Sequence, residues 1–302
     1  MKLGHARVLI TGAGGGIGSA AARRLGRAGA AVRLTDIAEG PLTRLTAELR
    51  EEGIDAEAAV ANVADADGRA ALTAFAQESR VNVLVNLAGV NPFGLFEEQS
   101  SEEIERALRI NVLAPMLLCQ ALLPLLAAAA PAHIVNVGSV FGSIAYPGFT
   151  VYSATKFAVR GFSEALRREL AGTRIKVHYL APRATRTALT TDAIRAMNEE
   201  LKVGMDSAET VAASIERLLV TERREWVLGV RERVAAKLNG LLPGVVDGIL
   251  RRQLPTIRRY AALPARVPAM APAAPRAPSV ASHHPMAIPP GDCIPPGLGD
   301  SR

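Results

Sequence analysis

Short apolar runs alternate with longer helical patterns over the first 230 residues, and this alternation constrains the fold more than any other feature. The runs that predict strands lie at residues 6–10, 31–35, 56–61, 81–86, 133–138, 176–181 and 225–228. The patterns that predict helices lie at residues 17–28, 41–52, 67–78, 102–128, 152–171 and 207–220. Such alternation indicates a parallel sheet with helices on both faces. We therefore predict an α/β fold with a single Rossmann-type, doubly wound parallel sheet, which binds ligands at the carboxyl ends of its strands.

A basic, amphipathic segment follows the seventh strand, at residues 230–261. Its apolar residues recur in helical steps of three and four; they are Leu238, Leu241, Leu242, Val245, Val246, Ile249 and Leu250. Its basic residues are Arg231, Arg233, Lys237, Arg251, Arg252, Arg258 and Arg259. Pro243 and Gly244 predict a division into two short helices, with Pro243 near the start of the second. This extension can lie on an anionic membrane surface, cover the substrate cleft or contact a neighbouring subunit.

The composition changes again after residue 262. Ten of the 19 prolines lie from Pro264 onward, mixed with Ala, Ser and Gly. A segment of this kind cannot bury enough apolar area to offset the entropy of ordering, so we predict a disordered tail. The chain thus divides into a dinucleotide-binding catalytic domain at 1–229, a helical extension at 230–261 and a tail at 262–302.

The charge distribution argues against nucleic acid as a partner. Residues 1–222 hold 23 Lys and Arg against 24 Asp and Glu, whereas residues 223–302 hold 12 against 5. The basic character therefore belongs to the C-terminal part, and the catalytic body offers no basic surface to a phosphate backbone.

Cysteine and histidine usage favours a reducing compartment without a metal site. The two cysteines lie far apart in sequence, and the five histidines form no cluster with ligand spacing.

No apolar segment precedes the first strand, so we expect a cytoplasmic protein, peripheral to the inner face of the membrane if the extension binds lipid. The uncharged stretch at 111–135 is long enough to span a bilayer. Because Pro115, Gln120 and Pro124 interrupt it, we interpret it as a buried helix.

A glycine-rich turn predicts a dinucleotide site. The segment TGAGGGIG at residues 11–18 follows a predicted strand and opens a predicted helix. Glycines let the backbone approach a pyrophosphate, and the helix N-terminus favours its negative charge. Asp36 ends the second strand, where a carboxylate accepts hydrogen bonds from ribose hydroxyls and repels a 2′-phosphate. We therefore expect NAD rather than NADP, although the nearby Arg33 leaves NADP open.

A tyrosine and a lysine four residues apart predict a proton-transfer pair. Tyr152 and Lys156 would share one face of a helix, one turn apart. A cation beside a phenol favours the phenolate, so we expect Lys156 to lower the pKa of Tyr152.

Together these motifs resemble those of the classical short-chain dehydrogenase/reductase family over about residues 5–229. The matching positions are Thr11, Gly12, Gly16, Ile17 and Gly18, the segment NLAG at 86–89, Asn111, Gly138, Ser139, Tyr152, Lys156, Pro182 and Thr187. Their number, order and spacing make a chance match a poor explanation. The resemblance implies an enzyme that transfers a hydride between a nicotinamide cofactor and an alcohol or carbonyl compound.

The resemblance also implies a role for each catalytic position. Tyr152 is expected to be the general acid/base, and Lys156 to lower its pKa and bind the nicotinamide ribose. Ser139 is expected to polarise the substrate oxygen, and Asn111 to hold a water for proton relay. Thr187 is expected to contact the nicotinamide carboxamide. The residues predicted to bind the cofactor are Gly12, Gly16, Ile17, Gly18, Asp36, Asn62, Val63, Asn86, Ala88, Gly89, Tyr152, Lys156, Pro182 and Thr187.

Two positions depart from the family pattern. Arg183 stands where the family usually has glycine after the proline, and Leu87 replaces an asparagine. Arg183 could crowd the nicotinamide or offer a cation to the substrate or cofactor. Both departures leave the proton-transfer residues intact.

Apolar residues favour an apolar or lipid-like substrate. Those expected to line the pocket are Val140, Phe141, Ile144, Phe149, Leu189, Ile194, Met197, Leu201 and Met205, although ordinary packing of a lid at 188–204 explains them equally well.

Family resemblance implies a homodimer or homotetramer, formed through the helices at 102–128 and 152–171. The alternative function is a non-catalytic nucleotide-binding module that acts through its basic extension on a membrane or partner.

Overall fold

Seven strands form one parallel sheet, each within two residues of its predicted boundaries. They are β1 (Arg7–Thr11), β2 (Ala31–Asp36), β3 (Ala56–Val60), β4 (Val83–Asn86), β5 (Ala132–Val137), β6 (Ile175–Ala181) and β7 (Glu225–Val227). Their order across the sheet is β3-β2-β1-β4-β5-β6-β7. This computed structural model describes residues 1–262, so the predicted tail beyond Ala262 lies outside the described residues.

Ten α-helices occur in the described residues. They are α1 (Gly16–Arg27), α2 (Glu39–Glu51), α3 (Ala66–Glu78), α4 (Ser101–Leu108), α5 (Ala114–Ala128), α6 (Thr150–Glu169), α7 (Asp192–Glu200), α8 (Ala208–Thr221), α9 (Val230–Leu241) and α10 (Pro243–Ala261). A π-helical turn at Arg109–Leu113 joins α4 to α5. The single helix predicted at 102–128 therefore has a wider turn at its centre.

The helices cover both faces of the sheet, which confirms the predicted doubly wound fold. One core contains leucines, alanines and branched residues of α1, α2 and α8 against the sheet, such as Leu25, Leu42 and Ile215. The opposite core contains residues of α3, α5 and α6, such as Leu72, Leu122 and Leu166. Because β1 neighbours both β2 and β4, the strand order reverses there. The carboxyl ends of β1 and β4 thus flank the crevice in which such folds bind ligands.

The stretch Ser101–Ala128 is long and apolar enough, by length and composition, to cross a membrane. Its most apolar 18-residue window has a mean hydropathy of 1.9, and 33% of that window is buried. A core helix of a sheet protein has the same composition. Leu118, Leu122 and Leu126 of this stretch are fully or almost fully buried in the core on that face of the sheet.

The extension forms two helices divided at Pro243, as predicted, but the second is long. α10 has 19 residues and contains Pro255. The apolar residues interpreted as one stripe lie on two sides. Val246 is buried against Val140 and Ile144, with Leu238 and Leu250 beside it. The remaining apolar positions, Leu241, Leu242, Val245 and Ile249, are exposed. The reason is local: the backbone of Leu242 is not helical, so the helical phase does not continue from α9 into α10.

Candidate active site

The glycine turn between β1 and α1 closes tightly against the end of β4. Gly12 has φ +68°, and a Cβ there would lie 2.9 Å from the Ala88 Cα, so only glycine fits without strain. α1 begins at Gly16, and its N-cap Gly15 has no side chain to bond the first amides. Ile17 and Gly18 continue this first turn. The uncapped amides and the open backbone fit a pyrophosphate, so the residues present suit a dinucleotide.

Asp36 lies where the sequence places it, at the end of β2 beside the glycine turn. Its carboxylate accepts hydrogen bonds from Gly14 N at 2.9 Å and Ala38 N at 3.0 Å. Arg33 is buried and pairs with Asp55 at 2.9 Å and Glu57 at 3.4 Å. Since side chains alternate between the faces of a strand, Arg33 and Asp36 project from opposite faces of β2. Arg33 therefore offers no cation beside Asp36.

The segment after β3 places Asn62 and Val63 at the same edge of the sheet. Asn62 accepts from Ala64 N at 3.0 Å and donates to Asp65 at 2.8 Å, which shapes the entry to α3. Val63 lines a pocket together with Asn86, Ala88 and residues from α5 and α6. These predicted residues thus converge at the carboxyl ends of β3 and β4.

A hydrogen-bond network fixes the end of β4, and Asn86 ties neighbouring strands together there, as its place at the strand end predicts. The Thr11 hydroxyl accepts from Leu87 N at 3.0 Å and Ala88 N at 3.1 Å. Asn86 donates to Asn136 at 2.9 Å, and Asn136 donates to Ser163 on α6 at 2.9 Å. Asn86 thus ties β4 to β5. Leu87, which replaces the asparagine usual in the family, still donates its backbone N–H to the Thr11 hydroxyl. Thr11 was visible in the glycine motif, but Asn136 and Ser163 carried no signal of their own.

Ser139 lies directly after β5, and a tyrosine beneath it holds its backbone. The Tyr179 hydroxyl donates to Ser139 O at 3.2 Å and accepts from Ser139 N at 3.5 Å. Tyr179 is on the neighbouring strand β6 and is almost completely buried. A Cβ at Gly138 would overlap the Tyr179 ring, so the close approach requires glycine. The Ser139 side chain accepts from Phe141 N at 3.1 Å.

Tyr152 and Lys156 share a face of α6, as their spacing predicts. The Lys156 ammonium lies 5.5 Å from the centre of the Tyr152 ring and donates to Val137 O at 3.1 Å. Burial raises the pKa of Tyr152 to about 12, and a hydrogen bond with the Ser139 side chain lowers it in part. Burial lowers the pKa of Lys156 to about 8.

The expected net lowering of the Tyr152 pKa is therefore wrong for this structure. Removal of the phenol from water disfavours the phenolate, and this effect exceeds those that favour it. Tyr152 keeps its proton at neutral pH, which is the form that a general acid needs.

Asn111 lies in the π-helical turn and is buried near Lys156 in the same pocket. Its side chain accepts from Val90 N at 2.8 Å and donates to Val90 O at 2.9 Å and Thr155 at 3.1 Å. Gly89 packs against it, since a Cβ there would lie 3.1 Å from the Asn111 Oδ1. The side chain is thus engaged with protein atoms, and Thr155 is a further residue that sequence reasoning missed.

The end of β6 completes the site from the other side of the glycine turn. Pro182 O accepts from Val140 N at 2.9 Å, which joins this end to the segment after β5. Thr187 lies beside the start of α1, because a Cβ on Gly16 would come 3.2 Å from its methyl group. Arg183 pairs with Asp206 at 2.7 Å and with Glu232 of α9 at 3.5 Å. It therefore anchors the extension.

Aromatic and apolar side chains surround Tyr152. Phe149, Ile194, Met197 and Ile257 are buried in one cluster, and the residues packed against them are Phe93, Phe141, Tyr146, Tyr152, Leu201 and Tyr260. Ile194, Met197 and Leu201, which were expected in the lid, thus join it, whereas Met205 does not and Leu189 is exposed. Val140 and Ile144 pack in a separate cluster with Val246. Ile257 and Tyr260 belong to α10, so the extension covers the side of the site that holds Tyr152.

Comparison with known proteins gives one consistent match. Residues 6–198 match the family model described as short chain dehydrogenase. SadH of Mycobacterium tuberculosis is 32% identical over 257 residues, which cover 80% of this chain and 89% of SadH.

Two solved structures resemble this fold and hold different cofactors. A short-chain dehydrogenase/reductase from Burkholderia phymatum in complex with NAD gives a TM-score of 0.73 at 26% identity, covering 80% of this chain and 94% of its own. A short-chain dehydrogenase from Sphingobium yanoikuyae in complex with NADPH gives 0.69 at 31% identity, covering 80% and 95%.

Proposed function

Because this chain belongs to the short-chain dehydrogenase/reductase family, we propose that it reduces an apolar carbonyl compound with Tyr152 as the general acid. The observation that carries the proposal is the placement of Tyr152. Its phenol lies with Ser139 and Lys156 at the carboxyl edge of the sheet, inside an aromatic cluster. The cofactor, when bound, supplies the hydride.

The chain's own residues then have distinct tasks. Ser139, held through its backbone by Tyr179, orients the substrate oxygen. Tyr152 gives its proton to that oxygen as the carbonyl becomes an alcohol. The developing phenolate is stabilised by the nearby Lys156 ammonium, which is charged below its pKa of about 8. The π-helical turn holds Asn111 against Val90 and Thr155, which fixes the pocket wall next to Lys156.

The aromatic surroundings support the proposed substrate class. Phe141 and Phe149 contact the edge of Tyr152, with ring centroids 6.3 and 6.4 Å away. A pocket of this kind stabilises an apolar group by burying it. The direct test is a panel of short, long and aromatic ketones assayed by loss of NADH absorbance. Turnover confined to charged or sugar-like carbonyl compounds would contradict the proposal.

The cofactor proposed for this site is NAD(H), and Asp36 is the residue that selects it. We expect Asp36→Ala to lower the ratio of NADH affinity to NADPH affinity by about tenfold or more. The substitution removes the negative charge that repels the 2′-phosphate of NADPH. Affinities for NADH and NADPH, measured by fluorescence titration, check this directly. Asp55→Ala is the matched control, since that carboxylate pairs with Arg33 away from the glycine turn. A wild-type protein that binds NADPH more tightly would overturn the assignment.

We also propose that the chain forms a homodimer or homotetramer through α4, α5 and α6. Leu108, Leu113 and Phe157 are exposed on this side of the molecule, and clustered apolar surface favours association. We expect a dimer or larger species in sedimentation velocity at micromolar concentration, and dissociation on Phe157→Glu. Val220→Glu, at an exposed position on α8, should leave the oligomer intact. A monomeric wild-type protein would refute this proposal.

A further inference from the structure

The outer face of the extension exposes an unusual number of large apolar side chains. Six of the 14 that are exposed in the described residues belong to α9, α10 and the turn between them: Val230, Val234, Leu241, Leu242, Val245 and Ile249. Leu241 is 80% exposed and Leu242 is 56% exposed, at the tip where the two helices meet. Single exposed apolar residues are ordinary, but a cluster indicates a binding surface.

The helical spacing gathers these side chains on the same sides of their helices. Val230, Val234 and Leu241 are separated by four and seven residues, so they share one face of α9. Val245 and Ile249 are four apart and share one side of α10. The opposite side of α10 packs inward, where Val246 and Ile257 are buried. α9 packs beside it through the partly buried Ala235, Ala236 and Leu238. The extension is thus fixed to the protein by one face and leaves the other without a partner in the described residues.

Basic side chains accompany this apolar surface. Residues 230–261 hold seven Lys and Arg against two Asp and Glu, whereas residues 1–229 hold 25 of each. Six of the basic residues are exposed and make no ion pair within residues 1–262: Arg231, Arg233, Lys237, Arg251, Arg252 and Arg258. One of the two acidic residues, Glu232, points inward to Arg183. The outer face is therefore both apolar and positively charged.

We propose that this outer face binds the surface of an anionic lipid bilayer. Leu241 and Leu242 enter the interface between headgroups and acyl chains, and the Arg and Lys side chains contact the anionic headgroups. A second copy of the chain is a poorer occupant, because a symmetric contact would bring the same cations together. Residues 263–302 hold three Arg and two Asp and so offer no net negative charge to this face.

The inner face of α10 covers the aromatic cluster around Tyr152 through Ile257 and Tyr260. α9 packs against the neighbouring cluster at Val140 and Ile144. A docked protein would therefore hold its substrate side next to a phase that dissolves apolar carbonyl compounds. That consequence rests on the proposed function, whereas the docking itself does not.

The test is vesicle flotation with the full chain and no substrate or cofactor, so its outcome is independent of turnover. We expect flotation with vesicles of phosphatidylcholine and phosphatidylserine, and little with phosphatidylcholine alone. Binding should weaken between about 0.1 M and about 1 M salt, where the Debye length falls from about 10 Å to about 3 Å. The double variants Leu241→Ser/Leu242→Ser and Arg251→Gln/Arg252→Gln should each lower the bound fraction at least about tenfold.

Matched controls are Val220→Ser on α8 and Arg44→Gln/Arg168→Gln on α2 and α6, which change exposed residues elsewhere and should bind as the wild type does. A chain ending at Ala262 should also bind normally. Three results would overturn the proposal: no flotation of the wild type, equal flotation with neutral vesicles, or loss of binding when only the tail is removed. A change of oligomeric state in the leucine variant, without vesicle binding by the wild type, would assign the face to a second copy instead.

Discussion

Tyr152→Phe should lower turnover at least about a hundredfold while leaving the affinity for NADH nearly unchanged. The substitution removes the proton donor, and general acid catalysis contributes about 10²–10⁴-fold to such reactions. The ring itself stays, so its contacts with Phe141 and Phe149 are kept. Steady-state kinetics with the best carbonyl substrate, together with NADH titration, separates the two effects.

The matched control is Tyr146→Phe in the same aromatic cluster. It loses only the hydrogen bond that Tyr146 donates to Gln253 at 2.7 Å, so its turnover should stay within about tenfold of the wild type. Wild-type reduction should also fall as pH rises through about 8, because Lys156 then loses the charge that stabilises the Tyr152 phenolate. Near-normal turnover by Tyr152→Phe would remove the assignment and leave the non-catalytic module as the better description.

Removal of the extension should have the second-largest effect, on stability and on turnover together. A chain ending at Gly229 loses the buried side chains Val246 and Ile257 and uncovers Phe149 and Ile144. The two lost side chains alone correspond to about 3–6 kcal/mol. That is a large share of the roughly 5–15 kcal/mol by which domains are stable. Urea unfolding and assays with short and long ketones measure both consequences.

A chain ending at Ala262 is the matched control, since it keeps both helices and removes only the Pro-rich segment. It should unfold at the same urea concentration and turn over at the same rate as the full chain. Ile257→Ala tests the inner face alone and should cost about 2–5 kcal/mol without removing any helix. If the chain ending at Gly229 proved as stable as the full chain, the packing of the extension would add nothing to the free energy of unfolding, contrary to its contacts.

The sheet was predictable because buried parallel strands leave an unmistakable pattern. β1 to β7 are runs of branched and small apolar residues between helical patterns, and each lies within two residues of its expected place. The turn at Arg109–Leu113 was not predictable, since its residues suit an ordinary helix. α7 was not predicted as a separate helix within the lid at 188–204, because nine helical residues between loops give a weak periodic signal.

The candidate site divides in the same way. Motif residues such as Asp36 and Tyr152 are recognisable from their spacing in the sequence. They lie where that spacing predicts, at the end of β2 and in the first turn of α6. Phe93, Tyr146 and Ile257 join the cluster around Tyr152 from segments far apart in the chain. Only the folded arrangement brings them together. The expected pKa of Tyr152 was wrong for a related reason: spacing reveals the neighbouring cation, but it does not reveal that burial of the phenol outweighs it.

Gly138 and Tyr179 limit how this chain can diverge. Any side chain at position 138 would occupy the space of the Tyr179 ring, and a smaller residue at 179 would release the backbone of Ser139. The two positions are therefore epistatic, and the order of substitutions matters. A smaller residue must replace Tyr179 before a larger one can replace Gly138. An evolutionary path to a protein with a large residue at 138 and a small one at 179 therefore passes through an intermediate with a cavity under Ser139.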